Sequence, residues 1–216
     1  MSDDPTPPAD DSDAPAPMAG PVTELDMTMP VTVRVLTFWF GPSRPSKDSK
    51  AVAPWWFAKN DGVDAAIITL FAKDYGDAAA GRLDDLLGDP LGGLALILIL
   101  DQFPRNMFRG SPKAFAADAK ARWAAEEMIV RGHDTALAPI EQMFAYLPFM
   151  HSEELVDQER SIALCERVGI EANQKSALAH LDLIERFGRF PHRNGVLGRE
   201  STPDEIEYLS QPDAGF

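Results

Sequence analysis

The sequence has little or none of several features that would identify a class of protein at once. Cys165 is the one cysteine in 216 residues, so no intramolecular disulfide can form. The longest uninterrupted apolar run, Leu94 to Leu100, is much shorter than a membrane span. The N-terminus has neither the basic nor the apolar segment of a secretory signal. We therefore expect a cytoplasmic protein with no membrane partner.

Positive charge is missing from the first 33 residues, which hold seven acidic residues and no Lys or Arg. The whole chain has a formal net charge of −14. Contacts to phosphate groups need a broad positive potential, so this balance argues against nucleic acid as a partner. Residues 1–30 are rich in Pro, Asp, Ala and Ser, which predicts a disordered acidic leader, with a docking peptide as the alternative. Residues 31–216 are predicted to form one domain.

Familiar motifs for cofactors and catalysis are missing as well. The chain contains no GxxxxGK[ST] phosphate loop and no G-x-S-x-G nucleophile elbow. Its four histidines form no HExxH, no ExxH and no His/Cys zinc spacing. We therefore predict no metal site and no cofactor.

Helical spacing dominates from residue 31 onward. The stretch "VTVRVLTFWFG" has the β-branched residues of a strand, but Val35, Phe38 and Trp39 fall at helical spacing before Gly41, a suitable C-cap. The apolar run that ends at Asp101 also fits a buried parallel strand, yet its Leu and Ala content favours a helix. The prediction is an all-α fold of roughly eight to ten helices.

Helix starts are marked by N-cap residues. Asp89, Ser111 and Thr202 each precede a proline, and Glu205 completes a capping box with Thr202. Ser152 is predicted to cap the helix that contains "EELVDQERS". Cys165 and the aromatic groups at residues 38–40 and 55–56 are predicted to be core.

Two similar polar stretches follow helical patterns. "LDQFPRN" begins at Leu100 and "GRFPHRN" begins at Gly188. The residue before proline avoids the α region, so helices should end near Phe103 and Phe190. Arg105 and Arg193 would then cap those helix ends, or they would line a binding site.

A third polar stretch, "YLPFMHSEE", contains His151 and Glu153. Histidine and glutamate can serve as acid and base, although an ordinary acidic first turn of a helix is the plainer interpretation. Asp101 follows seven apolar residues, so it should be partly buried and paired with an arginine. The candidate catalytic residues are His151, Glu153, His192 and Asp101.

The segment from Arg186 to Glu200 collects four arginines against one acid in this acidic chain. Four arginines cannot all cap one helix, and arginine binds carboxylates and phosphates with two parallel hydrogen bonds. We predict that the stretches meet and bind a small anion. The candidate ligand-binding residues are Arg105, Asn106, Arg189, Arg193, Asn194, Arg199 and Glu200.

The motifs "VLTFWFG", "LDQFPRNMFRG", "LPFMHSEELVDQE", "RFGRFPHRN" and "VLGREST" resemble those of the bacterial family catalogued as domain of unknown function 924. They span nearly all of the chain outside the acidic leader. The resemblance implies an all-α fold similar to stacks of TPR helices. It implies no established reaction, and no catalytic residue can be carried over from it.

Two functions fit these observations. One is a site for a small anionic metabolite, with an enzyme as one form of it. The other is a TPR-like module that binds a peptide end or an acidic motif through the same arginines. A pocket that unites the three stretches would favour the first function, and an open groove would favour the second. The sequence gives neither the reaction, the ligand, the oligomeric state nor the role of the leader.

Overall fold

The computed structural model describes residues 20–212, 214 and 215, and every regular element in this part of the chain is helical. The α-helices are α1 Val31–Phe40, α2 Asp61–Ala79, α3 Pro90–Ile97, α4 Phe103–Met107, α5 Asp118–Val130, α6 Pro139–Met150, α7 Leu155–Val168, α8 Glu171–Phe187, α9 Asn194–Leu197 and α10 Pro203–Leu209. The predicted all-α fold is confirmed. The likeness to TPR stacks is a finer statement and stays a prediction.

Helix α1 anchors the main core. Phe38 and Trp39 are almost completely buried, and Gly41 ends the helix with its N–H bonded to the carbonyl of Thr37. The ring of Phe38 packs edge to face against Phe71 of α2 and Phe103 of α4. Burying such rings contributes roughly 1.5–3 kcal/mol each. The helix predicted for this stretch is thus confirmed, and the alternative strand is wrong. The helical spacing of Val35, Phe38 and Trp39 places these side chains on one face, which packs into the apolar core.

Side chains that the sequence assigns to the core do lie there. Cys165 is 2% exposed, and both Trp55 and Trp56 are buried. The rings of these two tryptophans pack against Trp39. Apolar surface removed from water in this way is the main term that holds the helices together.

The predicted caps hold at three helix starts and fail at one. Asp89 and Thr202 accept hydrogen bonds from the first turns of α3 and α10, and Ser111 caps a short 3-10 turn. Ser152 does not cap α7. Its Oγ accepts the N–H of Glu154, and this local turn delays the helix until Leu155.

The prediction that a helix ends near Phe103 is wrong. A π-turn, Leu98–Gln102, joins α3 to α4, and Pro104 lies inside the continuing helix. A π-turn shifts the hydrogen-bond register by one residue, so the helix accommodates the proline's missing N–H and bulky ring. The prediction for the second stretch is correct in outline, since α8 ends at Phe187 and Gly188 follows at a φ of 67°.

The predicted leader falls mostly outside the described residues, since residues 1–19 are not among them. Residues 20–30 form no helix, but they contact the helical domain. The N–H of Val22 donates to the carbonyl of Phe38 at 3.3 Å, and Leu25 packs against the core. No helix in the described part of the chain is long and apolar enough to cross a bilayer.

Candidate functional site

The three polar stretches come together between α4, α6 and the segment after α8. His151 follows the last turn of α6, and its Nδ1 lies 2.8 Å from Oδ1 of Asp101 in the π-turn. Glu153 lies just beyond it and forms two hydrogen bonds with Arg199, at 2.7 and 3.0 Å. The predicted approach of Asp101 or Glu153 to an arginine of the last stretch is therefore present in the Glu153–Arg199 pair.

Asp101 is completely buried and lies at the centre of a hydrogen-bond network. Its carboxylate contacts His151 and accepts from Nε2 of Gln102 at 2.5 Å, and Arg105 Nη1 lies 3.3 Å away. Burial acts to raise the pKa of Asp101, but the charge of Arg105 and the hydrogen bonds from His151 and Gln102 lower it below its ordinary value. The carboxylate is therefore ionised, as the predicted pairing with an arginine requires.

His151 is held as a neutral imidazole. Burial and the charge of Arg105 lower its pKa, against the opposing effect of Asp101. Because ionised Asp101 can only accept hydrogen bonds, the proton of the neutral ring belongs on Nδ1. This leaves Nε2 as an unprotonated nitrogen that can accept a proton.

Arg105 is held by three hydrogen bonds. Its two terminal nitrogens donate to the two oxygens of Asp118 at 3.0 and 3.1 Å, and Nη1 also donates to the carbonyl of Asp101 at 2.5 Å. Although burial opposes the charge, Asp101 and Asp118 raise the pKa of this guanidinium above its ordinary value. Arg105 therefore bonds a carbonyl inside the helix and an aspartate, so the first of its two interpretations, a helix-end cap, is wrong.

Arg193 contrasts with Arg105. It is only 7% exposed, and its guanidinium lies between the rings of Phe115 and Phe190, at 4.7 and 4.5 Å from their centroids. Its nearest carboxylate is Asp118, 3.6 Å away, and within the described residues its Nε has no acceptor. Burial and the charge of Arg105 lower its pKa to about 10. The helix-cap interpretation is wrong here too, because Gly188 ends α8 five residues earlier.

Two further histidines stand beside these groups. His192 adjoins Arg193 in sequence, and burial followed by the Arg193 charge lowers its pKa to about 4. His180 of α8 has its ring 6.4 Å from that of His151, and burial lowers its pKa to about 3. Both imidazoles are therefore neutral at pH 7.

These groups open onto a pocket of about 610 Å³. That volume is within the range of small-molecule sites. The polar residues that line it are Gln102, Arg105, Asn106, Arg109, His151, Asn173, Ser176, His180, His192 and Arg193. The apolar residues that line it are Val52, Trp56, Phe57, Ala58, Ala114, Phe115, Met143, Leu147, Met150 and Ala172.

Several predicted ligand-binding residues are not in the wall of this pocket. Arg189 makes two hydrogen bonds with Glu205, at 2.6 and 2.7 Å, and a third with the carbonyl of Glu200. Asn194 is buried, and its Nδ2 donates to Ser201 and to Glu205. These contacts connect α10 and the segment before it to the residues that follow α8. Arg199 and Glu153 form the separate pair described above.

One residue that links the two arginines is not among the predicted site residues. Asp118, in the first turn of α5, pairs with both Arg105 and Arg193, yet an acidic first turn is ordinary and gives no signal. Phe115, whose ring packs against the guanidinium of Arg193, has no sequence feature that predicts this contact either. His180 had a weak signal, because it is a histidine between the apolar positions 177 and 181 of a predicted helix.

Comparison with known proteins yields a family and a fold. The family model described as "Bacterial protein of unknown function (DUF924)" matches residues 35–213. A solved structure of a protein of unknown function from Agrobacterium tumefaciens is 44% identical, with a TM-score of 0.70. That match covers 72% of this chain and 88% of the other. No match is found among proteins of curated function.

Proposed function

We propose that this chain, which belongs to the bacterial DUF924 family, binds a small organic anion in the pocket between α4, α6 and α8, with Arg193 as the main anion-binding residue. Arg105, Asn106 and His192 would complete the polar end of the site. We further propose a cytoplasmic location, which agrees with the lone buried cysteine.

The observation that carries the proposal is the state of Arg193. A guanidinium stacked between two rings is fixed in orientation, and its N–H donors point outward from its edges. In Arg193 the Nε lacks an acceptor among the described residues, and the nearest carboxylate stands beyond hydrogen-bond distance. A buried donor without a partner costs about 1–3 kcal/mol, and more when it is charged. An anion at the edge of the guanidinium that faces the pocket would offset part of the cost of burying this charge.

The depressed pKa of Arg193 supports the same conclusion. Two cations, Arg105 and Arg193, share Asp118, and this carboxylate pairs closely only with Arg105. Burial and the neighbouring charge of Arg105 therefore disfavour the charge of Arg193, which the lowered pKa reflects. A bound carboxylate or phosphate would reverse that effect and strengthen its own binding.

The Asp101–His151 pair adds a chemical group to the site. Ionised Asp101 fixes the Nδ1–H of His151, and the opposite nitrogen is then free to take a proton from a bound molecule or from water. An enzyme that transfers protons is thus the form of the proposal that makes most use of the geometry. Glu153 is less suited to the role, because Arg199 occupies both of its oxygens.

The alternative is a TPR-like module that binds a peptide. The two functions differ in the shape of the surface that carries the arginines. One pocket lined by residues from "DQFPRN", "MHSEE" and "FPHRN" supports the small-molecule site. We therefore put the small anion first.

Thermal unfolding of matched variants tests the proposal. Phosphate, sulfate, acetate or hexanoate at millimolar concentration, at constant ionic strength against chloride, should raise the Tm of the wild type. An anion at a hundred times its Kd stabilises the folded state by about 2.7 kcal/mol. Arg193→Gln should unfold at or slightly above the wild-type Tm without anion, and its anion affinity should fall about ten- to a hundredfold.

Arg189→Gln is the matched control, because it removes an arginine that pairs with Glu205 outside the pocket. This variant should be less stable than the wild type and should keep the full anion effect. If no anion raised the Tm of the wild type, and Arg193→Gln unfolded at a much lower Tm, Arg193 would have a structural role and the proposal would be wrong.

A further inference from the structure

We infer that the ligand is an amphipathic monocarboxylic acid of about eight to ten carbon atoms, with its carboxylate at Arg193 and its apolar chain along α6, a length that follows from the helix rise and the reach of an extended chain. This inference rests on the proposed anion site and adds the chemical class of the ligand.

The length follows from α6. Met143, Leu147, Met150 and His151 all line the pocket, so the wall follows one face of the helix over two turns. The eight steps from Met143 to His151, at 1.5 Å each, give about 12 Å. An extended chain advances about 1.2 Å per bond, so the wall matches an acid of about eight to ten carbon atoms.

The wall is also polarised from end to end. Near the middle of α6, the rings of Trp56 and Phe57 pack against Phe144, at 4.9 and 6.1 Å between centroids. At its end, His151 meets Asp101, and Arg105 lies beside them. The groups of Arg105, Arg193 and His151 therefore lie at one end of this wall, and the rings of Trp56 and Phe57 lie farther along it. A molecule that satisfies both ends must itself have a charged head and an apolar body.

The charge of the polar end favours a monoanion. Three arginines line the pocket, and three aspartates pair with them: Arg105 with Asp101 and Asp118, Arg109 with Asp64, and Arg193 with Asp118. With the histidines neutral, these groups have no net charge. A dianionic phosphate would bring two uncompensated negative charges into a partly buried site, which costs more than one. A carboxylate, with one charge and two oxygens, suits the edge of a single guanidinium.

Isothermal titration of the full chain with a graded series tests the inference. The probes are acetate, butyrate, hexanoate and octanoate, with octanamide as the neutral isostere and octyl phosphate as the dianion. Each added methylene should tighten binding about three- to fourfold, the equivalent of about 0.8 kcal/mol. Octanoate should bind at least about tenfold tighter than octanamide to the wild type, since it gains a charge-assisted hydrogen bond. Arg193→Gln should bind the two almost equally.

A second variant keeps the test clear of folding effects. Phe57 lines the pocket but is 60% exposed, so Phe57→Ser should leave the Tm close to that of the wild type. It should weaken octanoate binding and leave acetate binding unchanged, and Phe57→Leu should restore most of the octanoate affinity.

The outcomes separate the two proposals. If acetate binds through Arg193 and longer acids bind no tighter, the inferred ligand class is wrong and the anion site stands. If octyl phosphate binds tighter than octanoate, the monoanion argument is overturned. If octanoate binds equally to wild type and Arg193→Gln, or if no probe binds, the proposed anion site fails together with the inference.

Discussion

At the scale of single residues, two arginines in nearly identical motifs have opposite environments. Arg105 follows Phe-Pro directly and Arg193 follows it after His192, and both precede asparagine, yet the pKa of Arg105 is raised and that of Arg193 is lowered. The difference is the number of carboxylates within reach. Arg105 has Asp101 and Asp118, whereas Arg193 has a distant Asp118 and two rings. The motif therefore predicts a polar site without predicting which arginine is left available for a ligand.

Arg189 provides a prediction with a defined pH dependence. Hydrogen bonds from Arg189 are the main cause that lowers the pKa of Glu205 to about 2 from an ordinary value of 4.5. A carboxylate whose pKa is lower in the folded state contributes stability above its unfolded pKa and loses that contribution as pH falls through the folded value. Arg189→Gln should therefore unfold at a lower Tm than the wild type above pH 5, and the two Tm curves should converge as pH approaches 2.

Tm measured from pH 7 to pH 2 for both proteins checks this. Arg186→Gln is the control, since Arg186 forms an exposed pair with Asp182 and should have little effect at any pH. A constant difference between wild type and Arg189→Gln across the whole range would show that packing, and not the charge pair, explains the loss.

At the scale of helices, the sequence predicts where most of them start and fails where a helix is irregular. The Asp89 and Thr202 caps could be read from local chemistry, because the N-cap side chain bonds within its own first turn. The π-turn Leu98–Gln102 could not, because no local signal marks it and the contact that accompanies it, between Asp101 and His151, joins residues fifty positions apart. The irregular turn and the candidate site thus coincide, as is common for π-turns in helices.

Two glycines in helices give a matched test of packing at this scale. A Cβ at Gly92 of α3 would lie 2.3 Å from the carbonyl oxygen of Leu86, whereas a Cβ at Gly76 of α2 would meet nothing within 4 Å. Gly92→Ala should lower the free energy of unfolding by about 1–3 kcal/mol through overpacking. Gly76→Ala should raise it by up to about 1 kcal/mol through helix propensity.

Chemical denaturation of the two variants, with equal m-values as the check on two-state unfolding, measures both changes. If Gly92→Ala were as stable as the wild type, the close approach of the Leu86 carbonyl to α3 would be incorrect.

At the scale of the whole molecule, the structure explains part of the positive charge that this acidic chain collects between Arg186 and Glu200. Among its arginines, Arg189 and Arg199 pair with Glu205 and Glu153, which attaches the C-terminal helices to the body. Arg193 alone extends into the pocket wall. Convergence of the three polar stretches was predictable from their unusual composition. The apolar wall along α6 was not, because an apolar helix face predicts core packing equally well.

The most direct test of the central claim is a crystal structure of the protein with 8-bromooctanoate, whose bromine can be located by its anomalous scattering. We expect the carboxylate within about 3 Å of the guanidinium of Arg193. The bromine should lie at the aromatic end of the pocket, near Trp56 and Phe57. A ligand bound in the reverse direction, or bound elsewhere while the pocket stays empty, would contradict the account.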